Sequence, residues 1–177
     1  VSLAKKRIKN YQKDLINEKK VYEPKVICDD SKNLLKYVKK ESVDLAITSP
    51  PYWNILNQKR TADFKEIRTY SKSKKDLGNI EDYEKFLESL KQVFSKVYDS
   101  LKFNKRCISV VMDIRKKDKF FPLHEDQTRI MKEIGFELEE YVIWDRQLDY
   151  NNMKTLGYPW VFRFNKVHEF ICIYWKR

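Results

Sequence analysis

The feature that most constrains this chain is a short apolar run cut off by two prolines: Val43-Asp44-Leu45-Ala46-Ile47, then Thr48-Ser49-Pro50-Pro51-Tyr52-Trp53. A β-branched run of this length reads as a buried strand. Neither proline can donate a ladder hydrogen bond and each holds φ near one value, so the strand must stop in a stiff loop. In open α/β sheets, ligands bind beyond the carboxyl ends of strands, which is where this loop falls. A small hydroxyl, fixed carbonyl acceptors and a flat ring together suit a planar substrate that bears an amine. The competing reading is an ordinary proline-rich turn or linker. With only five prolines in 177 residues, and a strand directly before them, a linker fits poorly.

The remaining periodicity alternates strand and helix. Residues 21–30 read as strand and turn through Val26-Ile27-Cys28, and residues 31–40 as a helix with Leu34, Leu35 and Val38 inward. Residues 81–101 form the clearest helical stripe: Tyr83, Phe86, Leu87, Leu90, Val93, Phe94, Val97 and Leu101, with acidic residues in the first turn. Residues 107–112 read as a buried strand reaching Asp113, residues 125–134 as a helix stopped by Gly135, and residues 138–145 and 168–175 as two further strands. Five strands alternating with helices predict an α/β sheet. Residues 146–167, with Tyr150, Asn151, Asn152, Tyr158, Trp160 and Arg163, read as a loop that either packs its rings or meets bases.

A hydrophobic share of 42% excludes wholesale disorder, and the length suits one domain with a real core. The 37 basic against 26 acidic residues, a formal charge of +11, suggest a polyanionic partner, although excess charge also aids solubility. Most of the excess is local. Residues 1–20 hold seven basic against two acidic residues on a helical stripe of Leu3, Ile8, Tyr11, Leu15 and Ile16, a basic helix ahead of a main body at 21–177. Residues 57–76 hold seven against three, among them Lys59, Arg60, Arg68, Lys72, Lys74 and Lys75. A long basic loop just after a site-bearing strand end suits a lid whose cations meet phosphates; a plain solvated loop is the alternative. Cys28, Cys107 and Cys172 each lie in apolar stretches and read as reduced core residues of a cytoplasmic protein. Neither His124 nor His168 has metal-ligand spacing, so no metal is expected, and no signal peptide or run long enough to cross a bilayer is seen.

Ser49-Pro50-Pro51-Tyr52 resembles the catalytic motif of the DNA amino-methyltransferases, in which Asp, Asn or Ser precedes Pro-Pro and then Tyr, Phe or Trp. Further landmarks are similar to the permuted branch of that family, where the catalytic half precedes the cofactor half: residues 78–83, Leu123-His124, Ile134-Gly135-Phe136, Ile143-Trp144-Asp145, Gly157-Tyr158-Pro159, and His168-Glu169-Phe170 with Lys176. The resemblance implies S-adenosyl-L-methionine as cofactor and methyl transfer to the exocyclic amine of a DNA base flipped from the duplex, cytosine N4 favoured over adenine N6 because Ser leads the motif. A restriction-modification setting is implied with it. Ser49 and the carbonyl of Pro50 would accept the amine hydrogens, with Pro51 holding the turn, Tyr52 stacking on the base and Trp53 beside it meeting nucleic acid. Asp29 and Thr48 would face the cofactor, Asp29 matching the acid of a Gly-Asp pair whose glycine is here Cys28; Asp29 could equally cap the next helix.

The likeness also has a gap. Such enzymes hold the methionine part of the cofactor with a glycine-rich loop, and the three glycines here, Gly78, Gly135 and Gly157, are isolated. The expected fold is therefore a Rossmann-like methyltransferase sheet, mostly parallel with an antiparallel C-terminal strand, lacking the strands that carry that loop. The cofactor-binding half is expected downstream or on another chain. A non-catalytic nucleic-acid-binding subunit that keeps the fold is the rival reading.

Overall fold

The computed structural model of the chain describes residues 3–8, 24–57, 71, 73, 75–116, 118–149, 155–156, 159–160 and 162–177. The chain divides into two compact units, Val1–Ser31 and Lys32–Arg177. In the first, residues 3–8 are helical (α1) and largely exposed. Residues 24–30 take no regular structure, so the strand expected over Val26-Ile27-Cys28 does not form. Three apolar residues make too short a strand to persist without a paired neighbour, and none of the described strands pairs with them. Cys28 is accordingly exposed, contrary to its expected core position.

The second unit is built on one sheet of four strands in the order β1 (Val43–Thr48), β2 (Leu101–Val111), β8 (His168–Lys176), β5 (Glu137–Asp145). β1 runs parallel to β2, whereas β8 is antiparallel to both its neighbours, β2 and β5. Three strands thus share a direction and the C-terminal one opposes them, in a mixed sheet of four strands where five were expected.

Two helices cover one face. α2 (Tyr83–Ser100) starts where the Asp82 carboxylate accepts the Lys85 N–H at 2.8 Å, and its stripe of Phe86, Leu87, Leu90 and Phe94 is buried. α3 (Leu123–Ile134) ends at Gly135, whose φ of 117° lies in the region glycine tolerates best. A Cβ there would also meet the Tyr98 hydroxyl at 3.2 Å. A buried polar network fastens α3 to the sheet: Ser109 Oγ donates to Gln127 Oε1 at 3.2 Å and Gln127 Nε2 to the Tyr174 hydroxyl at 3.2 Å, which lies 2.9 Å from Thr128 Oγ1. Lys176 points inward and donates to the carbonyls of Tyr98 at 2.9 Å and Leu101 at 2.7 Å, satisfying groups the end of α2 leaves open. The segment expected to be helical over 31–40 is a 3-10 helix, Ser31–Lys36. Two short hairpins were not anticipated: β3 (Ile114–Lys116) with β4 (Lys119–Phe121), and β6 (Thr155–Leu156) with β7 (Arg163–Phe164).

Candidate active site

Four chain segments meet at one rim of the sheet because of the strand directions. β1 and β2 deliver their carboxyl ends there, as does β5, and antiparallel β8 begins there. The rim therefore carries Ser49 to Tyr52, the β3–β4 hairpin, Arg146 to Asp149, and His168-Glu169.

Within the proline loop the residues alternate between anchor and display. Thr48 and Ser49 are exposed, Pro50 is buried, and Pro51 and Tyr52 are half-buried. Trp53, expected at the nucleic acid, is instead 5% exposed in the core, its ring centroid 5.1 Å from Tyr83 and 4.9 Å from Phe121. Its φ of 50° is a left-handed conformation for a bulky residue. That conformation costs about 1–2 kcal/mol, against about 4–6 kcal/mol for burying an indole of typical contact area. Burial wins, and Trp53 serves as the plug that holds the proline turn on the sheet. The Lys116 ammonium sits 4.0 Å above the Trp53 ring and donates to Asn54 Oδ1 at 3.2 Å, tying the hairpin to the loop. Beyond the loop, Asn57 Nδ2 donates to the Gly78 carbonyl at 3.0 Å and to Asn79 Oδ1 at 3.1 Å, closing the ends of the basic segment against each other.

A chain of hydrogen bonds leads inward from Ser49. Its hydroxyl lies 3.2 Å from that of Tyr52, which donates to Glu169 Oε2 at 3.0 Å. The other carboxylate oxygen of Glu169 accepts from Arg146 Nη1 at 2.7 Å, while Arg146 Nε reaches Asp149 at 3.1 Å. Glu169 is only 3% exposed. Deeper, the Asp113 carboxylate lies 2.6 Å from His124 Nδ1, and the imidazole stacks on Phe170 at 3.8 Å between centroids.

Cations crowd the same rim. Arg115 and Lys166 flank the Phe120 ring, at 5.4 Å and 5.3 Å from its centroid. Burial, followed by the neighbouring Arg115 charge, pushes the Lys166 ammonium below the usual lysine range. Neither Arg115, Lys119 nor Lys166 is ion-paired among the described residues. The sequence pointed to the 57–76 segment for this role. Lys59, Arg60, Arg68, Lys72 and Lys74 lie outside the described residues, and Lys75 is exposed. Asp29 belongs to the first unit, where its carboxylate accepts the Asp30 N–H at 2.7 Å. Arg146, Glu169 and the hairpin cations had no role assigned from sequence. The Ile143-Trp144-Asp145 and His168-Glu169-Phe170 landmarks were the signals beside Arg146 and Glu169.

The model of the N6/N4 DNA methylase family matches residues 43–177. The chain belongs to that family. This methylase-family chain is 28% identical over 108 residues to the Type II methyltransferase M.MjaVI of Methanocaldococcus jannaschii, covering 60% of this chain and 47% of that protein. Its fold matches TTHA0409 of Thermus thermophilus, assigned as a DNA modification methylase and solved with S-adenosyl-L-methionine, with a TM-score of 0.58 and 28% identity over 83% of this chain and 53% of that one. The cytosine-N4-specific PvuII DNA methyltransferase shares the fold at a TM-score of 0.56 and 18% identity, over 84% of this chain and 49% of that one. The family chain thus spans about half the length of these relatives.

Gly78 closes the 3-10 turn Leu77–Asn79 and Gly135 ends α3, so neither opens a backbone cradle beside the rim. Among the described residues no group of three or more His, Cys, Asp or Glu could hold a metal ion, and no helix is long and apolar enough to cross a membrane.

Proposed function

We propose that this chain is the base-gripping half of a DNA amino-methyltransferase of restriction-modification type, acting on cytosine N4 in preference to adenine N6. The observation that carries the reading is the display of Ser49 at the sheet rim on a turn that buried Pro50 and Trp53 lock in place. An exocyclic amine is a poor nucleophile because its lone pair is delocalised into the ring. Ser49 Oγ and the Pro50 carbonyl accept its two hydrogens, which draws the nitrogen toward a pyramidal geometry, and the half-buried Tyr52 ring lies against the flipped base. Catalysis by these residues is positioning and electrostatics, with no covalent intermediate.

S-adenosyl-L-methionine, the compound bound in the TTHA0409 complex, is the methyl donor in this proposal, with Thr48 of the second unit facing it. DNA phosphates meet the basic 57–76 segment and also Arg115, Lys119 and Lys166. Two like charges gathered around the Phe120 ring, Arg115 and Lys166, with exposed Lys119 in the same hairpin and none of the three ion-paired among the described residues, are best explained by a polyanion that neutralises them. The setting is the cytoplasm, where DNA is found and thiols stay reduced.

The test is transfer of a labelled methyl group to DNA by the full-length protein. Ser49→Ala and Tyr52→Ala should each lower the rate by about a hundredfold or more, with unchanged folding. Full activity in both would end the catalytic assignment. Chromatography of the hydrolysed product should show N4-methylcytosine, and N6-methyladenine would overturn the choice of base. The lack of a glycine cradle favours one second reading, a nucleic-acid-binding subunit that does not turn over; DNA binding without any transfer by the full-length protein would select it.

A further inference from the structure

We infer that Glu169 is a positioning residue that fixes which way the hydrogen bonds around Ser49 run, and so makes Ser49 an acceptor. The inference rests on the proposed grip of Ser49 on a base amine. A carboxylate held against a guanidinium can only accept, and the Tyr52 hydroxyl has a single proton. With Glu169 Oε2 at 3.0 Å, that proton goes to Glu169, and the Ser49–Tyr52 contact at 3.2 Å must then be donated by Ser49. The Ser49 proton is thereby turned toward Tyr52. Both lone pairs of Ser49 Oγ are left for the substrate amine, and donation toward a buried carboxylate makes the oxygen more negative.

Glu169 can impose this direction because it is itself held. Arg146 takes its other oxygen at 2.7 Å, and the Arg146 guanidinium is fixed in turn by Asp149 at 3.1 Å and by the Trp144 ring at 4.7 Å, while the Arg146 N–H donates to the Val167 carbonyl at 2.7 Å. In Glu169→Gln the amide oxygen stays on Arg146 and the NH2 group faces Tyr52. A donor at that place reverses the relay, so Tyr52 donates to Ser49 and the Ser49 proton is free to point at the amine.

The experiment measures kcat, KM for DNA and thermal midpoint in the full-length protein for Ser49→Ala, Glu169→Gln, Tyr52→Phe and the double variant of Ser49→Ala with Glu169→Gln. Glu169→Gln should lower kcat by about tenfold to a hundredfold, the usual size for a residue that orients a reacting group, with KM for DNA unchanged. In the Ser49→Ala background the same change should cost nothing further, because no serine remains to be oriented. Tyr52→Phe breaks the relay in the middle without altering a buried charge, so it gives the same test if Glu169→Gln folds poorly. Wild-type kcat in either Glu169→Gln or Tyr52→Phe, while Ser49→Ala is slowed by about a hundredfold or more, overturns the relay and leaves the base grip standing. Equal losses with and without Ser49 also overturn it, by showing a merely structural role. Full activity of Ser49→Ala overturns the base grip itself, and the relay with it.

Discussion

Both faces of the four-stranded sheet carry apolar residues, and they are differently treated. On the helix side, Cys107, Val111, Cys172 and Tyr174 are fully buried beneath α2 and α3. On the other side, Leu45 and Ile47 of β1 are 48% and 66% exposed, and Val142 and Trp144 of β5 are 38% and 43% exposed, with Ile108, Ile171 and Ile173 half-buried between them. An open apolar sheet face beside an edge of β1 that pairs with no strand among the described residues is a liability for an isolated chain, and a ready interface for a partner layer. Under the function proposed above, in which this chain is one half of a methyltransferase domain, the other half is the occupant to test on that face. The lesson is that core and interface cannot be told apart by hydrophobicity alone.

The largest expected effect lies on the covered face. Phe94→Ala should destabilise the chain by about 3–5 kcal/mol, the usual range for emptying a buried aromatic site, seen as a lowered denaturant midpoint; a loss no larger than that of Ile47→Ala would erase the distinction between the faces. Next comes Ile47→Lys. It should leave the melting of this chain within about 0.5 kcal/mol, as exposed substitutions do, yet weaken its association with a separately expressed second half at least tenfold by titration calorimetry. Unimpaired association would remove that occupant from the open face. A smaller, chemical contrast comes from the thiols. Burial pushes the Cys107 thiol up to about 12 and Cys172 to about 11, so both stay protonated and covered near neutrality. Iodoacetamide at pH 8 should label exposed Cys28 readily, and the other two only after unfolding, as read by mass spectrometry.

The smallest effect is electrostatic. Hydrogen bonds from Lys102 and Lys105 hold Asp44 below the usual carboxylate range, and Arg106 does the same for Glu139. A carboxylate lowered in the folded state adds stability above its unfolded value, and that stability is lost as pH falls through the folded value. Thermal melts should therefore drift down below about pH 4.5, and only slightly, because these pairs are exposed and screened. A melt that rises with acid would contradict the assignment.

Much of the scaffold was legible from local pattern. β1, α2, β2, α3, β5 and β8 all lie where periodicity, caps and Gly135 place them, with ends moved by a few residues except at β2, which starts six residues earlier than expected. Val26-Ile27-Cys28 misled because an apolar triplet is strand-like only if something pairs with it. The β3–β4 hairpin escaped notice because three-residue strands in a basic run carry almost no period. Trp53 misled for another reason: an aromatic after a proline turn looks available for stacking until Tyr83 and Phe121, far along the chain, close over it.

What the sequence determined by itself is the run of elements and the proline stop that leaves Ser49 at a strand end, since each depends on neighbours within a few residues. Only the tertiary structure decided that Tyr52 meets Glu169, 117 residues away, and that Arg146 locks the pair. That outcome follows from β8 lying between β2 and β5 in the sheet. Strand order is set by how whole layers bury their apolar faces, and no local pattern of residues encodes it.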